Sequence, residues 1–327
     1  MKLGLIGTGW IVSDFIKSMR EIKGVEIYAV YSRTSEKGEN FARENNVKHV
    51  YTNYEEMLEH IDLIYIASPN SLHFKYAEIA LKNRVHTICE KPITSNLNEL
   101  TKLIKLSRMT NTALMEAIIP ISMPSYKSIK ENLCKIGEIR NVIFSFCQYS
   151  SKYDLYLNGE TPNIFNPKFS TGALMDIGIY CVYPAIDLFG IPQNIKSSAT
   201  YLKNEVDGSG VSILSYENFN VTIVYSKIHN SHIKSEIMGE EGSIVIDYIS
   251  KPNKVELYKN NGDREILFDS NNKLNMYYES KEFINTVENK KIESEINSHE
   301  LSINVMKTLD AIRQKLNIEF DADKTKK

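Results

Sequence analysis

Short apolar runs alternate with amphipathic stretches through the first 117 residues of the chain. The runs are rich in Ile, Val, Leu and Tyr and show no clear two-residue period, which is typical of strands buried on both faces. Between them, apolar residues recur at helical spacing, as Ile11, Phe15 and Met19 do. This alternation predicts right-handed βαβ units and a doubly wound parallel sheet, an α/β fold. The predicted strands are Lys2–Ile6, Val25–Ser32, Asp62–Ala67, Val85–Cys89 and Thr112–Ala117.

The pattern changes where Pro120 and Pro124 interrupt it. We place the domain boundary there, with a Rossmann domain over residues 1–119 and a C-terminal α+β domain over residues 120–327. Closely spaced strand-like runs with turn residues between them favour hairpins and a mostly antiparallel, open sheet in the second domain. These runs are Ile139–Phe146, Ser197–Leu202, Gly210–Tyr216, Asn220–Lys227, Ser235–Met238, Ser243–Asp247, Lys254–Tyr258 and Arg264–Phe268.

Helical and irregular segments complete the second domain. The sequence predicts a loop over Tyr149–Thr171, a short helix over Gly172–Phe189, and two later helices over Leu274–Glu288 and Ser298–Leu316. The charged end Asp321–Lys327 is expected to fray. Aromatic residues of the loop suit either a pocket wall or packing at the interdomain surface. They are Tyr153, Tyr156, Phe165 and Phe169.

Composition excludes several classes of protein. The chain carries 39 Lys and Arg against 41 Asp and Glu, a net charge of −2, so we expect no nucleic-acid binding. No apolar run reaches the roughly 18 residues of a bilayer span, and the start Met1–Gly7 is too short and glycine-broken for a signal peptide. The cysteines Cys89, Cys134, Cys147 and Cys181 are scattered. Their spacing argues against a zinc site or a disulfide framework and predicts a cytoplasmic protein without bound metal.

The first predicted strand leads into the glycine-containing turn Gly7-Thr8-Gly9-Trp10-Ile11-Val12. Gly7 permits a tight turn, and Gly9 lets a pyrophosphate approach the backbone at the start of the next helix. Val12 stands where a third small residue is usual. The alternative is an ordinary βα turn, but the position directly after an N-terminal strand favours a nucleotide site. We assign cofactor binding to Gly7, Thr8, Gly9, Trp10 and Ile11.

The end of the second predicted strand bears on the choice of cofactor. An acidic residue there would accept hydrogen bonds from the ribose 2′-OH of NAD. This chain has Ser32 and Arg33 instead. A hydroxyl and a guanidinium suit a 2′-phosphate, although a solvated turn with a surface arginine is the alternative. We therefore expect NADP, with NAD possible, and include Ser32 and Arg33 in the cofactor site.

Two further motifs follow predicted strands at their carboxyl ends, where ligands bind in an open parallel sheet. The third strand precedes Ser68-Pro69-Asn70-Ser71-Leu72-His73, and the fourth ends at Glu90-Lys91-Pro92. A lysine at this place can polarise or protonate a carbonyl oxygen, but Lys91 could equally be a surface partner of Glu90. A lone histidine such as His73 is more often structural, and whether Pro92 is cis stays open. We assign cofactor contacts to Ser68, Asn70, His73, Glu90 and Lys91.

Five motifs in order resemble those of the Gfo/Idh/MocA (glucose–fructose oxidoreductase/inositol dehydrogenase) family, and most closely its dimeric dihydrodiol and D-xylose dehydrogenase branch. They are Gly-Thr-Gly-Trp-Ile, Ser-Pro-Asn-x-x-His, Glu-Lys-Pro, Met-Glu-Ala and the run Gly172–Tyr180. The resemblance covers nearly the whole chain. It implies a dinucleotide domain followed by an α+β domain whose open sheet face often forms a homodimer or a higher homo-oligomer.

The resemblance also implies the chemistry. Family members transfer hydride between nicotinamide C4 and a carbon bearing a sugar or diol hydroxyl. The family's catalytic or substrate-orienting lysine corresponds to Lys91, and its other two active positions correspond to Asp176 and Tyr180. Asp176 and Tyr180 are four residues apart, so a helix would place them on one face. There a carboxylate can orient a hydroxyl and a phenol can transfer a proton; a core helix with a hydrogen-bonded Asp is the alternative.

Two functions from different classes follow. The first is an NADP-preferring oxidoreductase acting on a sugar, polyol or vicinal diol. The second is a non-catalytic nicotinamide-binding sensor on the same scaffold, against which the retention of Lys91, Asp176 and Tyr180 argues. In the second domain, the alternating residues Tyr225, Lys227 and His229 could face a partner subunit or reflect ordinary sheet patterning.

Overall fold

The structure is a computed structural model that describes residues 1–270, 274 and 276–324. Strands and helices are numbered in chain order. The strands are β1 (Lys2–Ile6), β2 (Glu26–Tyr31), β3 (His49–Tyr51), β4 (Leu63–Ile66), β5 (His86–Glu90), β6 (Leu114–Ala117), β7 (Ile139–Cys147), β8 (Asn194–Tyr201), β9 (Asp207–Ser215), β10 (Asn220–Ser226), β11 (Ser235–Gly239), β12 (Gly242–Ile246), β13 (Lys254–Lys259) and β14 (Arg264–Asp269). The α-helices are α1 (Trp10–Arg20), α2 (Ser35–Asn45), α3 (Tyr54–Leu58), α4 (His73–Lys82), α5 (Leu97–Thr110), α6 (Ile119–Ser122), α7 (Pro124–Asn132), α8 (Tyr153–Leu157), α9 (Ile179–Phe189), α10 (Tyr277–Glu288), α11 (His299–Lys315) and α12 (Asp321–Lys324).

The chain folds into two compact units. The first unit contains Met1–Ile118 and a later stretch that ends at Ser302, and the second unit contains the rest. The predicted boundary after residue 119 lies one residue from this division. The predicted continuous second domain differs from it, because α10 and the turn after it belong to the first unit.

The first unit holds a parallel sheet with the order β3-β2-β1-β4-β5-β6. The strand order reverses beside β1, as in dinucleotide-binding folds, and confirms the predicted doubly wound sheet. Every residue of β4 is buried, which explains why the central strands lack a two-residue period. The sequence patterns did not reveal β3, α2 and α3. The strand β3 has only three half-buried residues, and α2 buries little more than Phe41 and Ala42.

The edge strand β6 explains why the later stretch joins the first unit. The N–H of Leu114 donates to the carbonyl of Ile292 at 3.0 Å, and the Asn297 amide donates to the carbonyl of Glu116 at 2.8 Å. Ring atom Nε2 of His299 lies 3.0 Å from the carbonyl oxygen of Leu114. The stretch therefore covers a sheet edge that would otherwise expose unpaired backbone groups.

The second unit holds a sheet with the order β14-β13-β12-β11-β7-β10-β9-β8. Its neighbouring strands are antiparallel except for β7 and β10, which confirms a mostly antiparallel sheet. One face is buried, with α9 packed on β7 and β10. On the other face, Val211 and Ile213 of β9 stay 38% and 40% exposed. The sheet is therefore open on one side.

One helical run in the described part of the chain, Pro167–Phe189, has the length and composition of a membrane span. From the sequence we expected no such run. The run includes α9, and 72% of its most apolar window is buried inside the protein. Its helix α9 packs against the sheet of the second unit, as a core helix does.

Two irregular segments are more ordered than predicted. The predicted loop Tyr149–Thr171 contains α8 and two 3-10 turns, and the rings of Tyr153, Tyr156 and Phe165 lie 5.6 to 6.0 Å apart. At the C-terminus, α12 forms where fraying was expected, because Arg313 pairs with Asp323 at 2.7 Å. Residues 325–327 of the predicted frayed end and residue 275 of the predicted helix lie outside the described residues.

Candidate active site

The turn between β1 and α1 requires glycine at one position and leaves space at another. Gly7 has φ +111°, and a Cβ there would lie 2.6 Å from the carbonyl oxygen of Ala67, so a side chain does not fit. At Gly9, directly before α1, a Cβ would meet nothing within 4 Å. Val12 is fully buried and fills the third position without exposing apolar surface. The open space therefore lies in front of the first backbone N–H groups of α1.

This turn fits the pyrophosphate of a dinucleotide. The first turn of α1 contains no acidic residue, so the positive end of the helix dipole is not neutralised. Its first N–H groups have no partner inside the helix and are suited to bind phosphate oxygens. Around the turn, Thr8 and Trp10 are exposed and Ile11 is half-buried. These residues would hold the phosphates through backbone groups.

The side chains of Ser32 and Arg33, the two residues after β2, differ in their exposure to solvent. Ser32 is 8% exposed, and its N–H donates to the carbonyl of Tyr51 at 3.0 Å. Arg33 is exposed. The guanidinium of Arg33 lowers the pKa of Tyr76, but burial is the larger effect and raises that pKa to about 12. Of the two predicted cofactor residues, Arg33 is the one that presents its side chain to solvent.

His73 connects the loops that follow β4 and β5. It is the first residue of α4 and is 1% exposed. Its Nε2 lies 2.8 Å from the carbonyl oxygen of Ser68, and its Nδ1 lies 2.8 Å from that of Pro92. Burial lowers the pKa of His73. His73 thus contacts both the loop after β4 and the turn that contains the cis Lys91–Pro92 bond, and its contact with a cofactor stays a prediction. The predicted contact Asn70 starts the 3-10 turn before α4 and is half-buried.

Tyr65 links the helix of the phosphate turn to the turn that carries Lys91. Its ring stacks on Phe15 of α1 with centroids 3.7 Å apart, and its hydroxyl donates to Glu90 Oε1 at 2.6 Å. Glu90 therefore accepts a hydrogen bond from Tyr65, in addition to any ion pair with Lys91. Beyond the turn, Glu116 Oε1 accepts the N–H of Ile93 at 2.9 Å. Lys91 itself is half-buried at the carboxyl end of β5.

In the second unit, Asp207 fixes the start of the helical run that carries Asp176. Its carboxylate accepts the N–H of Leu174 at 2.7 Å. The backbone comes so close that a Cβ on Gly172 would lie 1.9 Å from Asp207 Oδ1. Complete burial raises the pKa of Asp207 to about 7. The sequence does not single out Asp207, because an Asp-Gly pair between two strands is typical of a turn.

Asp176 forms an ion pair with Lys227, the residue that follows β10. The pair is only partly accessible, since the side chains of Asp176 and Lys227 are 21% and 12% exposed. Asp176 lies in a π-helical turn, Leu174–Gly178, a geometry that is frequent at functional sites. At Gly178 a Cβ would lie 3.2 Å from the ring of Tyr225, so glycine lets the turn approach β10.

Tyr180 lies in the first turn of α9 and contacts the neighbouring strand. Its ring packs edge-on against Phe146 of β7 with centroids 5.6 Å apart. Phe146 is the register partner of Tyr225 on β10, two residues before Lys227. Asp176 and Tyr180 therefore reach the ends of two adjacent strands. Tyr225 is buried within its unit and Lys227 binds Asp176, which favours ordinary sheet patterning for these two residues, whereas His229 is exposed.

Family models match most of the chain. Residues 1–118 match an oxidoreductase family model with an NAD-binding Rossmann fold, and residues 133–245 match the C-terminal domain model of the same family. The chain belongs to the Gfo/Idh/MocA oxidoreductase family. The family confirms the predicted NAD(P)-dependent oxidoreductase.

Relatives of this family cover the whole chain. The chain is 39% identical to the scyllo-inositol 2-dehydrogenase (NADP(+)) IolU of Bacillus subtilis, with 99% of both chains covered. It is 28% identical to trans-1,2-dihydrobenzene-1,2-diol dehydrogenase of Xenopus tropicalis over 69% of each chain. Among solved structures, a 3-ketoreductase variant from Actinomadura kijaniata with NADP has a TM-score of 0.85 at 20% identity, covering 96% and 97% of the two chains. That last likeness shows the shared fold.

The described residues contain no group of three or more His, Cys, Asp and Glu side chains that could hold a metal ion. The four cysteines are free thiols.

We expect Asp207→Asn to change how stability depends on pH. Burial raises the pKa of Asp207 from its ordinary 3.8 to about 7 in the folded protein, so the folded state retains a proton that the unfolded chain has released. The stability that this proton gives is complete below about pH 4 and is lost as pH rises to about 7. Relative to Asp207→Asn, the wild type should lose up to ~1.4 kcal/mol of unfolding free energy per pH unit in this window.

Urea denaturation at several pH values between 4 and 8 measures this difference. The matched control is Asp263→Asn, which changes an exposed carboxylate of the same unit. Parallel stability curves for the wild type and Asp207→Asn would contradict the expectation.

Proposed function

We propose that the protein is an NADP-preferring dehydrogenase or reductase of a polyol or sugar ring. The observation that carries this proposal is the position of Lys91, half-buried at the carboxyl end of β5 and two strands from β1, where the strand order reverses. The name of the full-length relative IolU supports a cyclic polyol and NADP. The name of the Xenopus relative supports a vicinal diol as a narrower substrate class.

In this proposal the cofactor lies along the carboxyl ends of β1 and β2. The pyrophosphate binds at the open space before α1 next to Gly9, and the exposed Arg33 pairs with the 2′-phosphate. When bound, NADP supplies the hydride acceptor at nicotinamide C4. The buried Ser32 contributes through its backbone position more than through its hydroxyl.

The chain's own residues supply acid–base chemistry. In oxidation, Lys91 or Tyr180 takes the proton of the reacting hydroxyl, and in reduction the same group returns it. The ammonium of Lys91 also stabilises negative charge on the reacting oxygen. Asp176 orients a substrate hydroxyl through its carboxylate. These roles of Lys91, Asp176 and Tyr180 are predictions from the family resemblance, as are a cytoplasmic location and the lack of a nucleic-acid or membrane partner.

We also propose that a second copy of the chain covers the open face of the second sheet. Strand register places Ile213 of β9 and Ile266 of β14 in one row across this face. Their side chains are 40% and 55% exposed, and Val211 beside Ile213 is 38% exposed. Exposed apolar side chains towards both ends of an open sheet face suit a homodimer interface, although Thr222, Glu236 and Glu256 lie between them in the same row.

Replacement of Lys91 tests the proposed chemistry. Lys91→Met keeps the length of the side chain but removes the proton and the charge, so kcat should fall about 10²- to 10⁴-fold. The assay follows NADP⁺ reduction with scyllo-inositol, other inositols and free sugars, and NADPH oxidation with the corresponding ketones. Lys102→Met, an exposed lysine of α5, is the control. NADPH binding without turnover of any substrate by the wild type would favour the sensor, and normal turnover by Lys91→Met would refute the role of Lys91.

Replacement of Arg33 tests the cofactor choice. Arg33→Ala should weaken NADPH binding about 10- to 100-fold, because a charge-assisted hydrogen bond is lost, and should change NADH affinity little. Fluorescence of Trp10, the only tryptophan, reports binding of both cofactors. Arg43→Ala removes an exposed arginine of α2 as the control. Equal affinity of the wild type for NADH and NADPH would overturn this assignment.

Sedimentation tests the homodimer. We expect the wild type to sediment as a dimer at micromolar concentration. The double variant Val211→Asp and Ile213→Asp should shift the protein to the monomer, because it would place charges in the buried interface. Ile191→Asp, at an exposed apolar position outside this face, should leave the dimer intact. A wild-type monomer would refute the proposal.

A further inference from the structure

We infer that Asp176 and Lys227 together bind two adjacent hydroxyl groups of the substrate, Asp176 accepting a hydrogen bond from one and Lys227 donating to the other. This inference rests on the proposed function, because it names the substrate feature that the site recognises. The two residues lie 51 positions apart in the chain, yet the fold joins them in an ion pair.

The ion pair of Asp176 and Lys227 is partly buried and partly accessible to solvent. At 21% and 12% exposure, the side chains of Asp176 and Lys227 lie in a medium less polar than water, which strengthens their attraction. Part of each side chain stays accessible to solvent. Fully exposed pairs contribute little, whereas a partly buried pair holds its two groups in one geometry.

The backbone of Lys227 is fixed on both sides. Its N–H donates to the carbonyl of Gly208 at 2.8 Å, and its carbonyl accepts the N–H of Ser150 at 2.9 Å. The hydroxyl of Ser226 accepts the N–H groups of Ile228 and His229 at 3.1 Å each, which fixes the following turn. The ammonium therefore extends from a preorganised support, as a specificity-determining group requires.

The chemistry of the pair selects the ligand. A carboxylate only accepts hydrogen bonds and an ammonium only donates them, whereas each hydroxyl does both. Two neighbouring hydroxyls can thus give Asp176 and Lys227 one ligand partner each, whereas a single hydroxyl has to donate to Asp176 and accept from Lys227 with the same oxygen. The pair is neutral as a whole, so it favours an uncharged polyol over a phosphate or a carboxylate.

The test compares two isomers with the same atoms and different hydroxyl spacing. The probes are trans-1,2-cyclohexanediol and trans-1,4-cyclohexanediol, titrated by NMR into protein saturated with NADPH, so that no turnover occurs. The wild type should bind the 1,2-isomer about tenfold more tightly, a ratio expected for one hydrogen bond to a charged group. Lys227→Met should abolish the preference, and Lys227→Arg, which keeps a donor, should restore most of it. Lys203→Met, at an exposed lysine of the same unit, should leave it unchanged.

The outcomes separate this inference from the proposed function. A preference that persists in Lys227→Met, or equal or absent binding of the two isomers to the wild type, would overturn the inference. Loss of the preference in Lys227→Met supports it, even if the wild type turns over no substrate, a result that would count against the proposed function alone. Turnover of inositols by the wild type, together with an unchanged preference in Lys227→Met, would support the proposed function and overturn this inference.

Discussion

The predicted catalytic residues of the second unit depend on one interaction, the hydrogen bond that the buried side chain of Asp207 accepts from the backbone of Leu174. A helix begins with backbone N–H groups that lack partners, and burying them without acceptors is unfavourable. Asp207 accepts the N–H of Leu174, and Gly172 permits the close approach. The run from Leu174 to Phe189 can therefore start deep inside the unit, and it brings Asp176 and Tyr180 to the ends of β10 and β7.

Local patterns explain how much of the first unit was predictable. A glycine turn directly after a strand is specified by neighbouring residues, so the phosphate turn and the ends of the central strands follow from the sequence. The place of His73 depends on topology, because its ring joins loops from two strands that are adjacent only in the folded sheet. The short β3 escaped notice because three half-buried residues give no periodic signal.

The second unit shows the limit of sequence patterns more clearly. The strands and their antiparallel arrangement were recognisable from spacing and turn residues, and the family resemblance pointed to Asp176 and Tyr180. Lys227 was read only as part of an alternating strand, because a period of two does not reveal what lies over the strand's end. Its partner is set by the close approach of Gly178 to Tyr225, a contact between distant segments. Asp207 resembled an ordinary turn residue for the same reason.

The covering of β6 by a stretch close to the C-terminus has a consequence for synthesis of the chain. During translation the nucleotide-binding sheet emerges first, but Ile292 and Asn297, which complete its edge, leave the ribosome some 180 residues after their partners. Until then the nascent sheet has an open border that can pair with other strands. The edge of the nucleotide-binding sheet at β6 is therefore completed last. A chain truncated before Ile292 would leave the backbone groups of this edge unpaired.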